Sequence, residues 1–199
     1  MRTALAPRQG PVFIDFPGGI ANKAAPPQEA KLRAADGMRE STVVAELWDA
    51  YASGDFLMSN GLATMGYCLP AAQAVKLAEP ARTVVCLCGD AGFMMRLPEL
   101  LTGRRHRLSI VYVIFADDGH SLISAKQVMK GRKPYGVDFP RPDYGALAAG
   151  FGIKGMTVAS GAEYRRALAA ALADGGATLI EARIDASGYA RQFDVIREL

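Results

Sequence analysis

From Thr83 to Lys126 the apolar positions follow two rhythms in turn. Val84–Cys88 is an unbroken, β-branched run of strand length that stops at Gly89-Asp90-Ala91-Gly92. Helical spacing follows, with Leu97, Leu100 and Leu101 at i, i+3 and i+4, and then a second apolar run, Ile110–Phe115, ends in Asp117-Asp118-Gly119. Unbroken apolar runs of this length mark strands buried on both faces. The order predicts a βαβ unit with an acid at the carboxyl end of each parallel strand. Upstream, a short strand over Val12–Phe16 closes at Pro17-Gly18-Gly19, and Thr42–Ser53 has helical spacing through Val43, Leu47 and Ala50. Gly61–Gly66 reads as a turn feeding a helix over Leu69–Ala78, with Pro70 near its first position and Pro80 past its end. Downstream, Ser121–Met129 reads as a helix and Gly131–Pro142 as a loop, while Asp143 stands as N-cap of a helix over Tyr144–Phe151. A strand near Met156–Val158, a helix over Ala162–Ala173 stopped by Gly175-Gly176, and a strand over Thr178–Ile184 complete the pattern. Alternation of this kind predicts the α/β class, a parallel β-sheet flanked by helices on both faces.

The two acid turns carry the chemistry. Strand ends of a parallel sheet open into the crevice where α/β folds bind ligands. Two carboxylates gathered there repel unless a cation sits between them, and Mg²⁺ takes one or two carboxylates with phosphate oxygens and water. Ala91 and Gly92 are small enough for close backbone approach, and the helix behind them offers N–H groups to an anion. The residues alone therefore point to a Mg²⁺–diphosphate site.

Composition narrows the alternatives. The chain has 199 residues, half of them hydrophobic and 22% charged, which suits a globular domain with a real core. Net charge is +3, and the one dense basic cluster, Arg104-Arg105-His106-Arg107, falls where cations complement a helix dipole. With no aromatic interleaving, nucleic acid is not the expected partner. Cys68, Cys86 and Cys88 form no disulfide framework and fit a reducing compartment. Cys86 and Cys88 share one side of a strand, as core, and Cys68 reads as a small filler. No stretch is apolar and long enough to span a membrane, and no signal-peptide pattern opens the sequence, so cytoplasm is expected. Gly150-Phe151-Gly152-Ile153-Lys154-Gly155 spells GxGxxG but runs from helix to strand, the reverse of the dinucleotide-binding context.

Gly89-Asp90-Ala91, then Glu99-Leu100, an apolar strand and Asp117 resemble the GDG…NN diphosphate motif of thiamine diphosphate enzymes. The Gly61–Ala72 phrase GLATMGYCLPAA is similar to the glycine-rich, methionine-bearing turn of the acetolactate synthase branch, and GPVFIDFP resembles the phrase closing that family's pyrimidine-binding domain. The resemblance, from about Thr42 to Tyr189, implies a thiamine diphosphate-binding fold with thiamine diphosphate and Mg²⁺ as cofactors. It implies residues 1–40 as the end of a pyrimidine-binding domain plus linker, residues 41–190 as the diphosphate-binding domain and residues 191–199 as a tail, in an apparently truncated member.

By the same resemblance, Asp90, Asp117 (where the family usually has asparagine) and the Gly119 carbonyl would ligate the metal. Gly89, Asp90, Ala91, Gly92, His120 and Ser121 would cradle the diphosphate. Met65 would wedge the cofactor into its bent shape, and the Ala63 carbonyl would meet its aminopyrimidine. Asp118 is expected to face water, Glu99 to be structural, and His120 either to shuttle protons or to be incidental. The implied activity is carboligation or decarboxylation of 2-oxo acids through a thiamine-bound carbanion, as a transferase or lyase. The family's catalytic glutamate belongs to the pyrimidine domain and has no counterpart here. Three states stay open: a homo-oligomer, a subunit working with a separate pyrimidine-domain chain, or a non-catalytic remnant that binds cofactor or a partner.

Overall fold

The computed structural model describes residues 9–15, 56–57 and 64–189. Strands β1 (Gln9–Asp15), β2 (Phe56–Leu57), β3 (Thr83–Gly89), β4 (Ile110–Ala116), β5 (Lys154–Val158) and β6 (Thr178–Arg183) form one sheet in the order β2-β1-β3-β4-β6-β5. Every neighbouring pair is parallel, as the unbroken apolar runs require. All seven residues of β4 are buried.

Alternation of side chains divides the strands between two cores. Val85, Leu87, Val111, Val113, Phe115 and Ile180 point to one face, where helix α6 (Gly161–Asp174) covers them with Tyr164, Ala167, Leu168 and Ala171. Cys86, Cys88, Ile110, Tyr112, Ile114 and Leu179 point to the other, under α1 (Cys68–Ala78), α2 (Asp90–Met95), α3 (Glu99–Arg105) and α5 (Tyr144–Gly150). All three cysteines are buried and in no disulfide, and Cys68 packs against the side that Cys86 and Cys88 share. The expected α/β sheet with helices on both faces is the observed fold.

Caps and breakers act largely where the residues predict. Asp143 Oδ1 accepts from Ala146 N at 2.8 Å and starts α5. Ser160 Oγ accepts from Glu163 N at the start of α6, and Gly175 ends that helix at φ 69°, a left-handed conformation suited to glycine. The Gly150–Gly155 phrase leads from α5 into β5, a helix-to-strand turn.

Two expectations need correction. The single helix after Gly92 is two, α2 and α3, because Pro98 has no N–H to give and biases Leu97 away from helical geometry. Tighter turns replace the helical bonds there, Arg96 N donating to Phe93 O and Glu99 N to Arg96 O. Leu100 is buried and Leu97 half-buried, but Leu101 is 55% exposed. Helix α1 begins at Cys68, so Pro70 lies at its third position, still among the N–H groups that lack an intrahelical acceptor. The helix expected over Thr42–Ser53, the linker over residues 21–40 and the tail over 191–199 lie outside the described residues.

Candidate functional site at the carboxyl ends of β3 and β4

β3 and β4 run side by side with Gly89 paired to Phe115, so the residues that follow each strand emerge together. Asp90 is the first residue of α2 and Asp117 the first beyond β4. Asp117 N donates to Asp90 Oδ2 at 3.1 Å and Asp118 N to the same oxygen at 2.9 Å. Asp90 Oδ1 accepts from Ala91 N at 2.7 Å. The two acid turns are thereby tied to each other.

Asp90 is only 3% exposed. Burial, and then the charge of Asp117, lift its pKa from the usual 3.8 to about 6, against the pull of the three N–H groups. Burial also raises Asp117, although Tyr189 and Ser121 donate side-chain hydrogen bonds to it and Gly119 a backbone one. A buried carboxylate beside a half-buried one, with Asp118 adding its charge to Asp117, makes this an acidic site.

A cleft at these strand ends is lined by Met65, Gly89, Asp90, Ala91, Gly92, Phe115, Asp117, Gly119, His120, Ser121, Leu122, Ile123 and Tyr189. Of the residues assigned to the metal or the cofactor from sequence, only Ala63 is missing from that lining, and it lies outside the described residues. Gly66, at φ 81°, lets the chain carrying Met65 approach α2. A side chain there would meet Arg96 Cγ at 2.5 Å and Gly92 O at 3.2 Å.

The oxygen donors fit a hard cation. A carboxylate has about four acceptor positions; Asp90 spends three on backbone N–H groups, leaving one on Oδ1. Asp117 and the Gly119 carbonyl extend the set with oxygen alone, the preference of Mg²⁺ rather than of soft metals. Among the described residues no group of three or more His, Cys, Asp or Glu side chains could hold a metal; a two-carboxylate set completed by a carbonyl and phosphate is a different kind of site.

Some expected anion donors are engaged elsewhere. The Ala91 N–H serves Asp90, and His120 N donates to Val137 O at 2.7 Å. The N–H groups of Gly92, Ser121 and Leu122 lie in the first turns of α2 and α4 (Ser121–Met129), where a helix has no internal acceptor for them. Neither does Asp118 simply face water: its Oδ1 lies 2.5 Å from Arg141 Nε.

Sequence reasoning passed over Tyr189, Arg141, Tyr144 and Glu181. Glu181 is 3% exposed in β6 and accepts from Thr157 Oγ1 at 2.7 Å, with Arg183 Nε at 3.4 Å and Arg141 Nε at 3.8 Å. An acid inside the apolar run Thr178–Ile184 was a readable signal. Tyr144 packs edge-on against Phe93, ring centroids 6.1 Å apart, and its buried hydroxyl has no hydrogen-bond partner among the described residues. Burial and the charges of Asp90, Glu181 and Asp118 raise its pKa.

A parallel sheet with an acidic cleft at its carboxyl edge defines an α/β ligand-binding protein. Residues 40–182 match the family model described as thiamine pyrophosphate enzyme, C-terminal TPP binding domain, and the chain belongs to that family. It is 34% identical over 133 residues to the acetolactate synthase isozyme 2 large subunit of Escherichia coli (strain K12), covering 66% of this chain and 24% of that one. It is 33% identical over 129 residues to the catabolic acetolactate synthase of Raoultella terrigena, covering 65% and 23%. The crystal structure of benzoylformate decarboxylase from Polynucleobacter necessarius superposes with a TM-score of 0.70 at 20% identity, covering 92% of this chain and 31% of that one. The chain spans less than a quarter of the length of the curated relatives it matches.

Proposed function

We propose that this chain is the diphosphate-binding part of an acetolactate synthase-like enzyme acting on 2-oxo acids. The observation that carries the reading is the meeting of Asp90 and Asp117 at neighbouring strand ends, bonded through the Asp117 N–H at 3.1 Å. In this proposal Asp90, Asp117 and the Gly119 carbonyl hold Mg²⁺, whose charge cancels the repulsion between the acids. Gly92, Ser121 and Leu122 offer N–H groups to the diphosphate, and Gly89 and Ala91 leave room for it. Met65 supports the middle of the cofactor, with Ala63 assigned to the aminopyrimidine. His120 belongs to the wall of the cleft, because its N–H is engaged by Val137.

When bound, thiamine diphosphate supplies the electron sink for breaking or making the bond beside the keto carbon of a 2-oxo acid; the chain supplies position and electrostatics. Phe115, Leu122, Ile123 and Tyr189 give the cleft an apolar side that keeps water from the reacting end.

Residues 1–40 are assigned to the close of a pyrimidine-binding domain plus linker, 41–190 to the diphosphate-binding domain and 191–199 to a tail. The described residues lining the cleft include no glutamate, so the proton-relaying glutamate is assigned to a pyrimidine-binding domain on a partner subunit. The same observation favours a second reading, a non-catalytic subunit that binds cofactor. A cytoplasmic setting belongs to the proposal too, supported by three buried cysteines that form no disulfide. No helix of the described residues is long and apolar enough to cross a membrane.

Calorimetry with thiamine diphosphate, with and without Mg²⁺, tests the binding reading: affinity is expected only with the metal, and lost in Asp90→Ala. Equal affinity of the two proteins would overturn the metal assignment. Pyruvate consumption, alone and with a pyrimidine-domain chain, separates the two readings. Turnover in the mixture supports the enzyme, and none in any combination supports the binding subunit.

A further inference from the structure

The turn that carries Asp117 is held from behind by residues 131–142, which the sequence shows only as a loop. This segment is braced on α4: Tyr135 N donates to Gln127 Oε1 at 2.9 Å, Gln127 Nε2 to Tyr135 O at 3.2 Å, and Arg132 N to Gln127 O at 2.9 Å. It meets the acid turn at three points. His120 N donates to Val137 O, the rings of His120 and Phe139 pack edge-on at 5.6 Å, and Arg141 Nε reaches Asp118 Oδ1.

The last contact matters most because of the backbone beneath it. Asp118 has φ 66°, a left-handed conformation uncommon outside glycine, though one that Asp takes more readily than most residues. In that conformation the Asp118 N–H reaches Asp90 Oδ2 at 2.9 Å. Arg141 lies 3.8 Å from the buried Glu181, so its guanidinium is anchored to β6 while it grips Asp118.

We propose that Arg141 is a positioning residue: by pinning Asp118 against Glu181 it holds the turn Asp117–Gly119 in the shape that directs the Asp117 carboxylate and the Gly119 carbonyl toward one cation. This deepens the functional reading above and rests on it. Arg141 is not among the residues lining the cleft and acts through Asp118. Residues that orient metal ligands in this way typically change metal affinity by about 10–100-fold when removed.

The test uses the full chain with Arg141→Ala, Arg141→Lys, Asp118→Asn and the Arg141→Ala/Asp118→Asn pair. Mg²⁺ is titrated calorimetrically in the presence of thiamine diphosphate, and amide exchange at Asp117 and Asp118 is followed without either ligand. Arg141→Ala is expected to weaken Mg²⁺ about 10-fold and speed exchange at both amides, with the thermal midpoint little changed. Arg141→Lys is expected to recover most of the affinity, and the pair to be no weaker than its weaker single variant. Unchanged Mg²⁺ affinity and exchange in Arg141→Ala, or losses that multiply in the pair, would overturn the inference. Absence of Mg²⁺-dependent binding in the unsubstituted chain would instead overturn the functional reading, and faster exchange in Arg141→Ala would then still support the clamp.

Discussion

Asp90 accepts three backbone N–H bonds, and burial beside Asp117 still lifts it to about 6. The sign of the resulting pH dependence follows from proton counting. Between 3.8 and about 6 the folded protein holds a proton on Asp90 that the unfolded chain has lost, so stability falls as pH rises through this window and stays low above it. A shift of about two units bounds the effect at about 3 kcal/mol. Binding of the proposed cation would displace that proton, so Mg²⁺ affinity is expected to rise with pH through about 6. Urea midpoints of the cofactor-free protein at pH 4.5 and 7 should therefore differ less in Asp90→Asn than in the unsubstituted chain. Equal differences would show that Asp90 is not the titrating group. Asp90 and Asp117 were legible in sequence because a carboxylate directly after an apolar strand is conspicuous. Arg141 was not, because its meaning comes from Asp118, a partner that folding alone brings within 2.5 Å.

At the scale of elements, strands and caps read directly from the residues, and the misreading came at Pro98. Leucine spacing ran across it unbroken, but a proline acts on the backbone and not on the pattern of faces. The loop 131–142 was opaque for a related reason. It holds its shape through Gln127 side-chain bonds and the Val137 carbonyl, neither of which leaves a periodicity. Gly119 stands where this loop and the acid turn leave no room for a side chain, since a Cβ there would lie 2.8 Å from Val137 O. Gly119→Ala is expected to push the segments apart, costing about 1–3 kcal/mol and weakening Mg²⁺-dependent cofactor binding together with the His120–Val137 bond. Denaturant unfolding paired with exchange at the His120 amide checks it. A stability loss that left the exchange rate unchanged would place the damage elsewhere.

At the scale of the molecule, two cores and one sheet account for the interior of the described residues, whereas helix α4 has no buried residue at all. Leu122 and Ile123 face the cleft, while Val128, 57% exposed, sits a turn and a half further along the same helix. A helix beside this cleft with uncovered apolar side chains suits the docking of the proposed partner. The proposed pyrimidine-binding partner would cover α4 and bring the proton-relaying glutamate to the cofactor. Val128 lines no part of the cleft, so Val128→Lys separates assembly from cofactor binding. The variant is expected to bind thiamine diphosphate and Mg²⁺ as the unsubstituted chain does, yet to lose association in sedimentation and turnover when mixed with a pyrimidine-domain chain. Association that survives the lysine would place the completing surface on another face, and loss of cofactor affinity would mean that α4 itself had shifted.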